Sequence, residues 1–144
     1  MRSLRLVLAA LLAVGLLAAA GCGGDDDEAA PDTTTTETTT TPAAGGTLVG
    51  SVGTADDPDA FVISLTTEDG TPVTTLSAGD YTLRIDDPST IHNFHLSGPG
   101  GVDVASDVGG TDGEEFEITV EAGTYDYVCD PHAGSMNGSF EVSG

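Results

Sequence analysis

The residues from Thr47 onward predict an all-β domain, a sandwich or barrel. No window there carries the apolar period of an amphipathic helix, apolar and polar residues alternate in short runs, and turn residues interrupt those runs about every ten positions. In chain order the expected strands lie near Thr47–Val52, Phe61–Leu65, Tyr81–Asp86, Ile91–Leu96, Glu115–Val120, Thr124–Cys129 and Ser139–Val142, with a further short one near Val73–Leu76. The separating turns supply Gly, Pro or Asp where the backbone must reverse: Glu68-Asp69-Gly70, Ala78-Gly79-Asp80, Asp86-Asp87-Pro88-Ser89 and Glu121-Ala122-Gly123. The Gly- and Asp-rich stretch from Ser97 to Gly113 reads as a long exposed loop.

A period of two assigns faces within these strands. Tyr81, Leu83 and Ile85 point inward and leave Arg84 toward solvent, and Phe116, Ile118 and Val120 form the inward set of their strand. Tyr125, Tyr127 and Cys129 share one face, and His92, Phe94 and Leu96 share the buried face of another strand. His95 points the opposite way and reads as a surface histidine.

The segments ahead of this domain have a different character. Arg2 and Arg5 precede an apolar run from Leu6 to Ala20, which is too short to span a membrane comfortably and reads as an export signal over residues 1–21. The small residues Ala19-Ala20-Gly21 directly before Cys22 resemble the lipobox of bacterial lipoproteins, which implies cleavage before Cys22 and acylation of that residue. A plain secretory signal with a free Cys22 is the alternative, and both place the protein outside the cytoplasm. Residues 22–46 hold Asp-Asp-Asp-Glu, two threonine blocks around Glu37 and no aliphatic side chain larger than Ala, the composition of a disordered tether. As a flexible coil it reaches roughly 25–30 Å, enough to lift a domain off a membrane. Residues 47–144 then form one domain with one core.

Charge narrows the partners. The chain carries 24 acidic against three basic side chains, a net charge of -21, and Arg84 is the only basic residue after the leader. Nucleic acid and anionic lipid surfaces are poor partners for such a field. Steering toward a cationic redox protein and plain solubility both fit it.

The richest chemistry stands near the C-terminal end, in Tyr127-Val128-Cys129-Asp130-Pro131-His132-Ala133-Gly134-Ser135-Met136. A thiolate, an imidazole and a thioether in one short run are a soft donor set suited to copper. With the leader removed, Cys129 is the only thiol besides Cys22, and a metal gives an unpaired extracytoplasmic thiol a purpose. His92 arrives on a separate strand, so a trigonal pair of histidines and a thiolate with a weak axial thioether is the expected site, one that can transfer an electron. Zinc also accepts Cys and His, but it seldom uses Met, and paired structural-zinc spacings are missing. A lone histidine on a strand is usually structural and a lone methionine usually fills a core. Four such residues together weigh against that reading for His92, Cys129, His132 and Met136.

Ile91-His92-Asn93-Phe94-His95-Leu96 and Gly123-Thr124-Tyr125-Asp126-Tyr127-Val128-Cys129-Asp130-Pro131-His132 resemble the ligand segments of plastocyanins and amicyanins, and the resemblance covers most of residues 47–144. It implies an eight-stranded Greek-key β-sandwich (cupredoxin-like) binding one copper ion, with His92, Cys129, His132 and Met136 as ligands. It also implies that Asn93 ties the two ligand-bearing segments together. The three residues between His132 and Met136 and the aliphatic Val128 before the Cys depart from plastocyanin, so photosynthetic partners are not carried over.

The expected function is therefore that of a membrane-tethered blue copper protein, monomeric and not an enzyme, carrying single electrons between redox partners such as a c-type cytochrome or an oxidoreductase. Copper binding and delivery in the cell envelope is the competing expectation. A Cys129 nucleophile with His132 as base is a third, and it leaves His92, Asn93 and Met136 without a role.

Overall fold

The computed structural model describes residues 41–110 and 113–144. The export signal, Cys22 and the tether up to residue 40 lie outside the described residues. Nine strands follow in order: β1 (Thr47–Val52), β2 (Ile63–Thr67), β3 (Thr75–Ser77), β4 (Gly79–Asp86), β5 (His95–Gly98), β6 (Val102–Ala105), β7 (Glu114–Val120), β8 (Gly123–Val128) and β9 (Asn137–Ser143). They build a two-sheet β-sandwich, with sheet orders β2-β1-β4-β7 and β3-β9-β8-β5-β6. Two pairs are parallel, β1 with β4 and β3 with β9, and the rest are antiparallel.

Alternation does the positioning. Tyr81, Leu83 and Ile85 of β4 are buried while Asp80 and Asp86 are exposed, so one face of this strand meets the core. Ile118 and Val120 of β7 are buried in the same way, and Phe116 packs half-buried against the core's rim. From the other sheet Leu96, Tyr125, Phe140 and Val142 meet them, and Cys129 and Met136 belong to the same cluster. Phe94 lies across β1 because Gly50 offers no side chain: a Cβ there would come within 2.8 Å of the Phe94 ring. That close approach seats the segment carrying His92 against the first sheet.

Several expectations shift by a few residues. The strand expected from Phe61 begins at Ile63, and the one expected from Ile91 begins only at His95. His92, Asn93 and Phe94 instead form an approach segment in which all three side chains are buried, so period-two alternation does not hold there. Asn93 can be buried because its polar atoms are paired inside the protein. The stretch from Ser97 to Gly113 is not one long loop: it contains β6, with Val102 buried and Val104 packed on the core, so the described residues hold nine strands where about eight were expected. A tight turn at Pro99–Gly101, with Gly100 and Gly101 at φ 72° and 79°, makes the return from β5 to β6. Before β1, the Gly45 N–H donates to the Asp80 carbonyl at 2.6 Å and the Tyr81 hydroxyl to the Pro42 carbonyl at 3.2 Å, so the last residues read as tether are held against the domain.

Candidate metal centre

Cys129 follows β8 directly, and the residues from Cys129 to Met136 connect β8 to β9, whose pairing begins at Val128↔Asn137. Backbone hydrogen bonds close this connection on itself. The Cys129 N–H donates to the Met136 carbonyl at 3.0 Å, the His132 N–H to the Cys129 carbonyl at 2.9 Å, and the Met136 N–H to the His132 carbonyl at 2.9 Å. Pro131 sits in the 3₁₀ turn Asp130–His132, where its fixed φ suits the first turn and its missing N–H leaves no donor unsatisfied. The spacing from Cys129 through His132 to Met136 is thus imposed by main-chain geometry.

The side chains converge as that geometry requires. Cys129 Sγ lies 3.6 Å from His92 Nδ1 and 3.5 Å from His132 Nδ1, and the two Nδ1 atoms are 3.0 Å apart. The centre of a triangle with those sides is roughly 2 Å from each corner, close to the metal–imidazole bond and a little inside the metal–thiolate bond. Neutral imidazole nitrogens and a thiolate are all electron-pair donors, so packed this closely they repel unless a proton or a cation lies among them. Cys129 and His92 are fully buried, His132 is half-buried, and Met136 is fully buried in the cluster that holds Cys129. Among the described residues this is the one grouping of three or more His, Cys, Asp and Glu side chains with donor atoms within 4.8 Å of one another. The donor set of two imidazoles and one thiolate fits a single copper ion.

Around these atoms stands a polar frame. Asn93 Nδ2 donates to Asp130 Oδ2 at 2.8 Å and to the Ser106 carbonyl at 3.3 Å, while the Asp130 N–H donates to Asn93 Oδ1 at 2.8 Å. Ser106 in turn bonds Phe94, through its hydroxyl to the Phe94 N–H and through its own N–H to the Phe94 carbonyl, both at 3.0 Å. His95 lies between two carboxylates, with Nδ1 2.8 Å from Asp130 and Nε2 2.8 Å from Asp103. Its hydrogen bond to Asp130 raises its pKa above the ordinary histidine value, and desolvation only partly opposes this. The same bond, with that from Asn93, lowers the pKa of Asp130. Asp87, 3 % exposed, has its pKa pushed up by burial, and the hydrogen bond from the Ser89 N–H pulls it back.

The mouth of the site is apolar. Phe61 meets His132 edge-on at 4.6 Å between ring centroids and His92 at 5.4 Å, and it is 57 % exposed. Pro131 and Ala133, both exposed, flank His132 with no charge. Sequence reasoning placed Phe61 at the start of a strand and His95 on the surface, and gave Asp130 no role. The one signal for Asp130 was its place directly after Cys129. For Phe61 none existed, because its approach to the histidines depends on how the two sheets stack.

Fold and site together define a copper protein of the cupredoxin type. The profile of the family described as "Copper binding proteins, plastocyanin/azurin family" matches residues 71–143, and the chain belongs to that family. Among solved structures it is similar to reduced rusticyanin studied by NMR, at 20 % identity and a TM-score of 0.46, covering 67 % of this chain and 76 % of that one. It is also similar to rusticyanin from Thiobacillus ferrooxidans, at 21 % identity and a TM-score of 0.43, covering 67 % and 76 %. No curated protein matches the chain.

Proposed function

We propose that the protein is an extracytoplasmic one-electron carrier, not an enzyme, whose single copper would be held by His92, Cys129, His132 and Met136. The observation that carries this reading is the triangle of His92 Nδ1, His132 Nδ1 and Cys129 Sγ, closed by a turn whose backbone is already hydrogen bonded. Copper bound there supplies a one-electron couple, Cu(I)/Cu(II), in a donor geometry acceptable to both states. The chain's own residues do the rest. Buried Cys129 and His92 exclude water from one side, Asn93 locks the approach segment to the ligand turn, and His132 presents its half-buried edge beside Phe61 to the outside. An apolar mouth on an acidic chain suits brief docking of a cationic redox protein, such as a c-type cytochrome or an oxidoreductase, with charge setting the approach and the apolar rim the contact.

The leader and Cys22 support attachment to the outer side of the cell membrane through a lipid, with the threonine-rich segment as spacer. Among the described residues no helix is long and apolar enough to cross a membrane. The decisive experiment is the visible spectrum of the copper-loaded chain. A strong thiolate-to-copper band and one copper per chain are expected, both lost in Cys129→Ser. A colourless Cu(II) form with Cys129 reduced overturns the reading. Recovery of Cys22 unmodified in the soluble extracellular fraction overturns the anchor alone.

A further inference from the structure

We propose that His95 is a positioning residue of the copper centre: gripped as a cation between Asp103 and Asp130, it fixes the first residue of the ligand turn and offsets that residue's negative charge beside Cys129. This rests on the copper reading above and adds a determinant of reduction potential to it.

The protonation state follows from the contacts. Both ring nitrogens of His95 are 2.8 Å from carboxylate oxygens, one on Asp130 and one on Asp103. An ionised carboxylate can only accept, so both nitrogens must donate, and only the imidazolium does that. The raised pKa of His95 agrees with this.

The bonds form a chain across three parts of the fold. Asp103 belongs to β6, His95 to β5, and Asp130 opens the turn after β8; Asp130 spends Oδ1 on His95 and Oδ2 on Asn93. The Asp130 side chain is 51 % exposed and that of Asp103 77 %, so water would satisfy either carboxylate without His95. What the imidazolium adds is a single orientation of Asp130 and a positive charge within hydrogen-bonding distance of it. Asp130 directly follows the thiolate residue. A bare carboxylate there favours the oxidised centre, which carries one more positive charge than the reduced one, and the His95 cation counters that preference.

The sign of the effect separates this role from simple bracing. With copper bound to the full chain, His95→Gln removes the cation and should lower the reduction potential, shifting the Cu(I)/Cu(II) equilibrium against a fixed reference couple several-fold toward Cu(II). Asp130→Asn should move it the opposite way, and His95→Arg, with two donor edges and a permanent charge, should restore most of the wild-type value. In the metal-free full chain, nitrogen-15 NMR should find protons on both ring nitrogens of His95 at neutral pH. An unmoved potential in His95→Gln, or the same direction of shift in His95→Gln and Asp130→Asn, overturns the proposal. So does a neutral His95 ring in the metal-free chain. The thiolate-to-copper band of the wild type is read first: its absence sinks the copper reading, and the NMR result then decides whether the clamp exists without it.

Discussion

Asn93 and Asp130 exchange two hydrogen bonds of 2.8 Å each, side chain to side chain in one direction and main chain to side chain in the other. The pair joins the segment that carries His92 to the turn that carries His132, and Asn93 is 2 % exposed, so no solvent replaces it when it is lost. Asn93→Ala leaves the Ser106 carbonyl and the Asp130 N–H without their partner. The expected cost is about 1–3 kcal/mol of stability, from one buried and one part-buried group left unsatisfied. A urea unfolding curve of the metal-free chain checks it, and a midpoint equal to wild type would mean that water enters the gap.

Met136 sits in the core with Cys129, and its backbone is fixed at both ends by hydrogen bonds to His132 and Cys129. Met136→Leu preserves volume, so stability should change by less than about 1.5 kcal/mol. The thiolate-to-copper band should persist, since both histidines and the thiolate remain. Voltammetry should show a higher potential, because removing a weak donor penalises Cu(II) more than Cu(I). An unchanged potential would show the thioether to be a packing group only.

For the His95–Asp130 pair the pH dependence has a definite sign. The folded pKa of His95 lies above 6.5, so its stabilisation is complete below pH 6.5 and is lost as pH rises through the raised folded value. Asp130 runs the other way: its folded pKa lies below 3.8, so its stabilisation is present above 3.8 and is lost as pH falls through the lowered value. The advantage of wild type over His95→Gln in the metal-free chain should therefore be flat between about pH 4 and 6.5 and shrink on the alkaline side. Urea midpoints at half-unit steps measure it. A gap that widens with pH contradicts an imidazolium.

Phe61 is 57 % exposed, so Phe61→Ala should shift stability by under about 1 kcal/mol. Its ring lies against His132, however, and its loss removes the largest apolar group at the mouth of the site. Stopped-flow exchange with a basic cytochrome should slow in Phe61→Ala. In the wild type the rate should fall steeply as salt rises through the screening range. Rates that are flat in salt would leave the acidic surface with no part in recognition.

The strand pattern was legible wherever alternation is clean. Tyr81, Leu83 and Ile85 of β4 are buried as a period of two requires, and β1 spans the very residues expected of it. Donor chemistry made the cluster of His92, Cys129 and His132 legible too, because soft and imidazole donors at short spacing serve few purposes besides metal binding. Two things were hidden for physical reasons. The Val102–Ala105 strand is bordered by Pro99, Gly100 and Gly101 on one side and by Asp107, Gly109 and Gly110 on the other, and that turn chemistry masks a four-residue strand. His95 looked like a surface residue because alternation reports only which way a side chain points. Its carboxylate partners come from β6 and from the turn after β8, and no local pattern encodes that meeting.

The position of β9 has a consequence in time. It lies between β3 and β8 in the five-stranded sheet, while β1 is bridged to β4 across the intervening β2 and β3. Among the described residues four of the seven strand pairings, β1–β4, β3–β9, β4–β7 and β5–β8, join strands that are not consecutive, a topology whose folding takes milliseconds to seconds rather than microseconds. Until residues 137–143 are available, the second sheet lacks one of its inner strands and the turn holding His132 and Met136 has nothing to close against. During synthesis the donor cluster is thus among the last parts of this domain to form, and a copper ion arriving earlier meets only scattered donors.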